Sequence, residues 1–414
     1  MIQLVEARNF RMLRSNTVAL RPFAVLVGQN ATGKSTFLGA LQLISDVLKL
    51  GVPDAVRKHL GSRAASFRDL CFDPEQPVAF ALEVVVTANG AASRLRYEIE
   101  LGNGEEGLRV RREHLFVLPD KPTVDERALQ PSLFGDTTPI VHDQTPRSVG
   151  WRKVVGKVLE GSDYFRDEKT EWNNQFRFGP ERAALGSLPQ DLARFPLSIA
   201  VRDLLRAGLH TVALDAAQLR SSSPPGSPIK LALDGSNLPD VARSLQQRDA
   251  VLYKQWVGHV ATGVSGLLDI DVIERPEDKH LVLRARFEGT HDEAVPSWLL
   301  SDGTLRLMAL TLLSYAASPG ASDAYLIEEP ENGLHPLAMQ TMLEALAKPP
   351  EGMQVLLATH SPIILANLGL EDVLVFRRGA SGSAIVRRGE EVPELRDWHG
   401  RSNLADLFVS GVLG

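Results

Sequence analysis

Residues Gly28-Gln29-Asn30-Ala31-Thr32-Gly33-Lys34-Ser35 spell G-x-x-x-x-G-K-[ST], a phosphate-binding loop that functions only between a buried parallel strand and a helix. Both neighbours are present in the pattern. Ala24-Val25-Leu26-Val27 precedes the loop as an apolar run. Thr36 to Leu50 follows with apolar residues at Phe37, Leu38, Leu41, Ile44, Val47 and Leu48, a helical spacing. Gly28 and Gly33 let the backbone curl until successive N–H groups, Asn30 and Thr36 among their bearers, point at phosphate oxygens. The helix N-terminus adds partial positive charge. Lys34 reaches the β- and γ-phosphates, and the Ser35 hydroxyl ligates Mg²⁺. A glycine-rich turn matching by chance would lack the strand and the helix in register. The stretch predicts a nucleoside triphosphate site.

The 414-residue chain is long enough for a full α/β core and a second lobe. Its net charge of −6 argues against a surface coated in nucleic acid, so any DNA or RNA contact needs a local basic patch. Cys71 is the single cysteine, which excludes an internal disulfide and a multi-cysteine metal site. The sequence shows neither a basic-then-apolar leader nor a long apolar run, so a cytoplasmic protein without a membrane span is expected.

Two short strands, Ile2 to Glu6 and around Thr17 to Leu20, lead into the loop. Strand-like runs at 78–87, 94–101 and 108–118, separated by Asn89-Gly90 and Gly102-Asn103-Gly104, predict an antiparallel meander. From Pro119 to about Pro196 the pattern reads as an insertion, mostly loops, with a helix near Trp151 to Glu160. Helices are expected at 197–209 and 238–260, and strands at 269–274 and 280–288. The expected division is 1–118, the N-terminal half of the nucleotide domain; 119–290, an inserted lobe; and 291–414, the C-terminal half.

Tyr325-Leu326-Ile327-Glu328-Glu329 is an apolar run ending in two acids. Such a pair has a use at the end of a buried strand beside a phosphate loop. Glu328 can hold Mg²⁺, directly or through water, and Glu329 can polarise the attacking water. A second apolar run, Gln354 to Ala358, ends in Thr359-His360-Ser361-Pro362, which places His360 where an imidazole can meet a γ-phosphate or that water. Ser301 suits the N-cap of an apolar helix running to about Tyr315, and Gly303 keeps that N-terminus open, a geometry that also binds anions.

In this order the pieces resemble the ABC-type ATPase heads of the RecF/SMC/OLD group, most of all the OLD-type AAA ATPases of bacterial defence loci. The resemblance covers 1–50 and about 295–378. Asn9-Phe10-Arg11 matches the group's opening strand and turn. Ser301-Asp302-Gly303-Thr304 stands at the ABC signature and His360 at the switch histidine. Glu328-Glu329-Pro330-Glu331-Asn332-Gly333-Leu334-His335-Pro336 looks like the OLD version of the Walker B and D-loop region. Most such enzymes carry Asp where Glu328 stands, and Asp302 replaces the first Gly of the usual signature. The resemblance implies an ABC-ATPase head: a mixed, largely parallel sheet with an antiparallel meander and an inserted helical or loop lobe. It also implies ATP and Mg²⁺ as ligands and catalysis by Lys34, Glu329 and His360. In the implied homodimer, each ATP lies between one phosphate loop and the Ser301 helix of the other subunit. No coiled-coil heptads and no C-terminal Toprim nuclease are expected; the tail offers a strand at 384–388 and an amphipathic end at 402–413.

The expected function is an ATP-hydrolysing dimeric switch acting on nucleic acid or a separate effector, in anti-phage defence or DNA maintenance. The alternative is a slowly hydrolysing scaffold that holds a separately encoded nuclease or toxin. Arg94, Arg96, Arg109, Arg111 and Arg112 fall on neighbouring predicted strands, where they could track a DNA backbone or simply form a solvated face.

Overall fold

The structure, a computed structural model, describes residues 1–61, 66–104, 107–119, 140–146, 150–157, 163–289, 293–317, 320 and 322–396. Strands β1 (Ile2–Phe10) and β2 (Leu13–Ala19) pair antiparallel and lead to β3 (Phe23–Val27), which is buried throughout. A strand apolar on both faces belongs inside a covered parallel sheet. The phosphate loop then delivers α1 (Lys34–Leu50), followed by α2 (Val52–Leu60). The expected meander is β4 (Val78–Ala88), β5 (Ala91–Gly104) and β6 (Gly107–Val117). Asn89 and Gly90, both at positive φ, turn the first hairpin.

Beyond residue 119 the structure departs from the expected elements in two places. The helix placed near 151–160 is strand β7 (Arg152–Lys157), paired with β6. Residues 158–160 lie outside the described residues. With β8 (Asp163–Arg166) and β9 (Asn173–Phe176) it completes an eight-stranded sheet, ordered β2-β1-β4-β5-β6-β7-β8-β9. The cause is local. Val154 and Val155 are β-branched and fully buried, and Trp151 packs on Phe116 with ring centroids 5.4 Å apart. Gly156 leaves room for the Tyr164 ring, which a Cβ would meet at 2.6 Å. Two charged residues followed by two apolar ones fit neither period, so the edge of β6 decides the outcome.

Helix α3 (Pro196–Ala207) precedes β10 (Leu209–Val212) and α4 (Ala216–Arg220). The stretch expected as one helix is two, α5 (Leu238–Arg248) and α6 (Ala250–Gly263). They break at Asp249, whose carboxylate accepts from the N–H groups of Val251 and Leu252 and so caps α6. Strands β11 (Leu267–Glu274), β12 (Leu281–Phe287) and β13 (Val295–Pro296) form a small antiparallel sheet. The chain continues through α7 (Asp302–Tyr315), β14 (Asp323–Glu328), α8 (Pro336–Leu346), β15 (Met353–Ala358), α9 (Pro362–Ala366), β16 (Val373–Arg378) and β17 (Ala384–Arg388). The end at 402–413 lies outside the described residues.

The central sheet is ordered β10-β14-β15-β3-β16-β17, parallel except for β17. Alternate residues serve two cores. Ala24, Leu26, Leu326, Leu356 and Phe376 face α1, α3 and the eight-stranded sheet, while Val25, Val27, Ile327, Val355 and Leu357 face α5 to α8. Residues between 119 and 290 contribute to all three sheets, through β7–β9, β10 and β11–β12. Because β14, β15 and β3 are adjacent and parallel, their carboxyl ends open side by side, where open α/β sheets bind ligands.

Candidate nucleotide site

The phosphate loop takes the shape its glycines allow. Gly28 has φ 152° and a Cβ there would lie 2.2 Å from the Phe376 carbonyl oxygen; Gly33 has φ 108° and Ala31 φ 59°. Thr32 Oγ1 donates to the Gln29 carbonyl at 2.8 Å and braces the curl. Asn30 is exposed at the loop's tip, and Thr36 is half-buried in the first turn of α1. Lys34 Nζ donates to the carbonyls of Gly28 at 2.7 Å and Gln29 at 2.8 Å. Burial pushes its ammonium down to about 8, against the opposing fields of Glu329, Glu328 and Glu331.

Across the loop, Ser35 Oγ donates to Glu328 Oε2 at 2.5 Å. The two residues expected to hold Mg²⁺ therefore meet. Beside them, Glu329 adopts φ 47°, a left-handed conformation rare for a side chain of this size, and its N–H still donates to Ala358 O at 2.8 Å. Asn332 Nδ2 donates to Glu329 Oε2 at 2.9 Å, and His360 Nε2 lies 3.2 Å from Oε1. The Asn332 bond, then His360 and Lys34, hold the Glu329 carboxyl below the usual carboxylate range. The β15 end is tied in by Glu331, whose Oε1 accepts from Thr359 Oγ1 at 2.7 Å and from His360 N at 2.9 Å.

Ser301 caps α7, its Oγ accepting from Thr304 N at 3.2 Å. Asp302, the acid in the signature position, is ion-paired with Arg220. A Cβ on Gly303 would stand 2.4 Å from the Gly333 carbonyl, so this glycine lets α7 approach the turn that follows Glu329. Among the described residues no hydrogen bond joins Ser301 to the phosphate loop of the same chain. Reading the sequence missed Glu331, Asn332 and Thr359 as contributors. Their signal was position alone, between or beside residues already chosen.

The arginine cluster, open in the sequence to a DNA contact or a solvated face, is paired with acids of the eight-stranded sheet and its surroundings. Arg96, 4% exposed, is ion-paired with Glu6 and donates from Nε to Glu98 at 2.7 Å. Arg94 pairs with Glu83, Arg112 with Glu100 and Asp143, and Arg111 with Glu100. The Arg109 guanidinium lies over Gly104, where a Cβ would meet its Nε at 2.2 Å. Four of the five arginines are thus ion-paired with carboxylates of the same chain.

The donor set fits ATP with Mg²⁺. A hydroxyl and a carboxylate, Ser35 and Glu328, are hard oxygen ligands. Among the described residues no group of three or more acidic, His or Cys side chains could hold a metal alone. A cation carried largely by phosphates and waters needs only one or two protein ligands. When bound, Mg²⁺ neutralises phosphate charge. With a triphosphate in the loop, Lys34 and the loop N–H groups would orient it, and Glu329 and His360 would stand beside it.

Loop, paired acids, histidine and sheet define an ATPase whose fold is that of an ABC-type head. The chain belongs to the family described as "AAA domain, putative AbiEii toxin, Type IV TA system", whose model matches residues 23–366. It is similar to the Old nuclease of Escherichia phage P2, at 23% identity over 416 residues, covering 94% of this chain and 62% of that protein. The chain thus spans less than two thirds of that relative's length. Its fold is similar to that of an SMC head solved bound to the C-winged helix domain of ScpA, with a TM-score of 0.53 and 14% identity, covering 93% of this chain and 97% of the other. Among the described residues no helix is long and apolar enough to cross a membrane.

Proposed function

We propose that this ATPase is a dimeric switch that sandwiches ATP and Mg²⁺ between two copies and acts on a separate effector or on nucleic acid, in anti-phage defence or DNA maintenance. The observation that carries the reading is the meeting of Ser35 with Glu328 beside the Glu329–His360 pair, at the ends of adjacent parallel strands. Lys34, Ser35 and Glu328 bind; Glu329 and His360 act on the attacking water; Ser301 and the Gly303 N–H complete the site of the other subunit. Asp302 is compatible with that contact because Arg220 takes up its charge. Binding closes the dimer and hydrolysis reopens it, which shifts whatever surface the 119–290 region presents between the 1–118 and 291–414 halves. Pairing of the arginine cluster with carboxylates weights the reading toward an effector over direct DNA contact.

One observation favours the second reading, a slowly hydrolysing ATP-bound scaffold for a separately encoded nuclease or toxin. Both Glu329 oxygens are engaged within the chain, by Asn332 and His360, and the carboxyl is held below the usual range, which makes it a weaker base toward water. ATP turnover by the purified protein, with and without duplex DNA at low salt, separates the readings. A rate that rises with DNA supports a nucleic-acid-responsive switch. A low rate indifferent to DNA supports the scaffold and directs the search to co-purifying proteins.

A further inference from the structure

Glu331 lies outside the nucleotide-contacting set, yet it joins the two strand ends that carry the catalytic pair. Its Oε1 accepts from the Thr359 hydroxyl at 2.7 Å and from the His360 backbone N–H at 2.9 Å. Thr359 is fully buried, and its oxygen in turn accepts from Ser361 N at 2.9 Å. One carboxylate oxygen therefore fixes three consecutive residues as the chain leaves β15. The other oxygen, Oε2, is buried with no hydrogen-bond partner, so all of the bonding capacity this side chain uses goes to that turn. On its own side Glu331 is held by Leu334 N–H, which donates to its carbonyl at 2.9 Å, while Asn332 N–H donates to the Glu329 carbonyl at 3.1 Å. Glu329 and Glu331 thus sit on one rigid turn, and each grips β15 or its exit: Glu329 N–H on Ala358 O, Glu331 Oε1 on His360 N–H.

We propose that Glu331 is a positioning residue for hydrolysis, holding the Thr359–Ser361 turn so that His360 Nε2 faces Glu329 Oε1. The inference rests on the assignment of His360 and Glu329 to the reacting end of ATP. Glu331 acts through the histidine backbone and not on the nucleotide, so its removal slows turnover without weakening binding. A glutamine keeps one acceptor oxygen and can carry both bonds. An alanine cannot, and it leaves a buried hydroxyl and a partly buried N–H without this partner.

The test uses the full chain in four forms, Glu331→Ala, Glu331→Gln, His360→Ala and the Glu331→Ala/His360→Ala double variant, with kcat measured beside ATP affinity. Glu331→Ala is expected to lower kcat at least about tenfold, within the range of a lost acid–base contribution, with affinity unchanged within about twofold. Glu331→Gln restores most of that loss, and the double variant is no slower than His360→Ala alone. Additive losses in the double variant, or an affinity loss as large as the kcat loss, overturn the proposal while leaving the site assignment intact. Full turnover by His360→Ala removes that assignment, and the proposal with it. Should Glu331→Ala fail to fold, Thr359→Val deletes the hydroxyl donor and reads the same coupling.

Discussion

Ser35 Oγ and Glu328 Oε2 stand 2.5 Å apart, one at the first turn of α1 and the other at the end of β14, 293 residues further along the chain. The sheet brings them together because β14 and β3 flank β15 in parallel. In the proposed role of Mg²⁺ ligands they would make affinity for nucleotide metal-dependent. Ser35→Ala is therefore expected to weaken ATP binding in Mg²⁺ but not in EDTA, and to cost about 10²-fold in turnover. Parallel titrations under the two conditions check this; equal losses in both would mean that Ser35 contacts phosphate instead.

Asn332 is the largest influence holding the Glu329 carboxyl below its usual range. A base must be ionised to accept a proton from water, so with Glu329 in the proposed role its protonation would set an acid limb in the pH profile of kcat. Asn332→Ala removes the donor that favours the charged form, so the limb moves to higher pH. An unmoved limb would assign it to another group.

Lys34 carries an ammonium lowered to about 8 by burial. A triphosphate binds the charged form, so binding raises that value and takes up a proton when the pH is near or above 8. The Lys34 contribution to ATP affinity is constant below about pH 8 and falls as pH rises through it. Calorimetry in buffers of different ionisation enthalpy reads the proton uptake directly. Lys34→Arg, whose charge persists throughout, loses the pH dependence even where its affinity is lower.

Away from the site, Glu113 is buried and accepts from Ala184 N at 2.6 Å, Leu185 N at 2.9 Å and Tyr97 OH at 2.9 Å. Burial outweighs these donors and pushes its carboxyl up to about 7. Between the ordinary carboxylate value and 7 the folded chain keeps a proton that the unfolded chain has lost. This contribution is fully present below about 4.5, is lost as pH rises through 7, and amounts to about 3 kcal/mol. Glu113→Gln is expected to flatten that part of the stability profile, measured by denaturant titration across pH 4.5 to 8.

Sequence made the site legible wherever chemistry is tied to short motifs at strand ends. The loop at Gly28–Ser35, the Glu328-Glu329 pair and His360 are each preceded by a run of apolar residues, and a parallel sheet does the rest. What remained hidden depends on partners distant in the chain. Arg96 reads as surface charge until Glu6, 90 residues away, is found beside it. Glu331 reads as a turn residue until its carboxylate is seen reaching back to Thr359 and His360. Strand β7 was misread because Arg152 to Lys157 carries no clear period, and only the exposed edge of β6 makes it a strand. Asp249 shows the opposite case: a capping signal present in the sequence, passed over because the apolar pattern ran on across it.

In the proposed cycle two copies of this chain close on ATP and hydrolysis at Glu329 releases them. Glu329→Gln keeps the shape of the side chain and removes the base. Light scattering on this variant with saturating ATP and Mg²⁺ tests the claim most directly. Bound ATP, no turnover and a stable species of twice the 45.2 kDa chain mass are expected. A variant that binds ATP and stays at the mass of a single chain would contradict it.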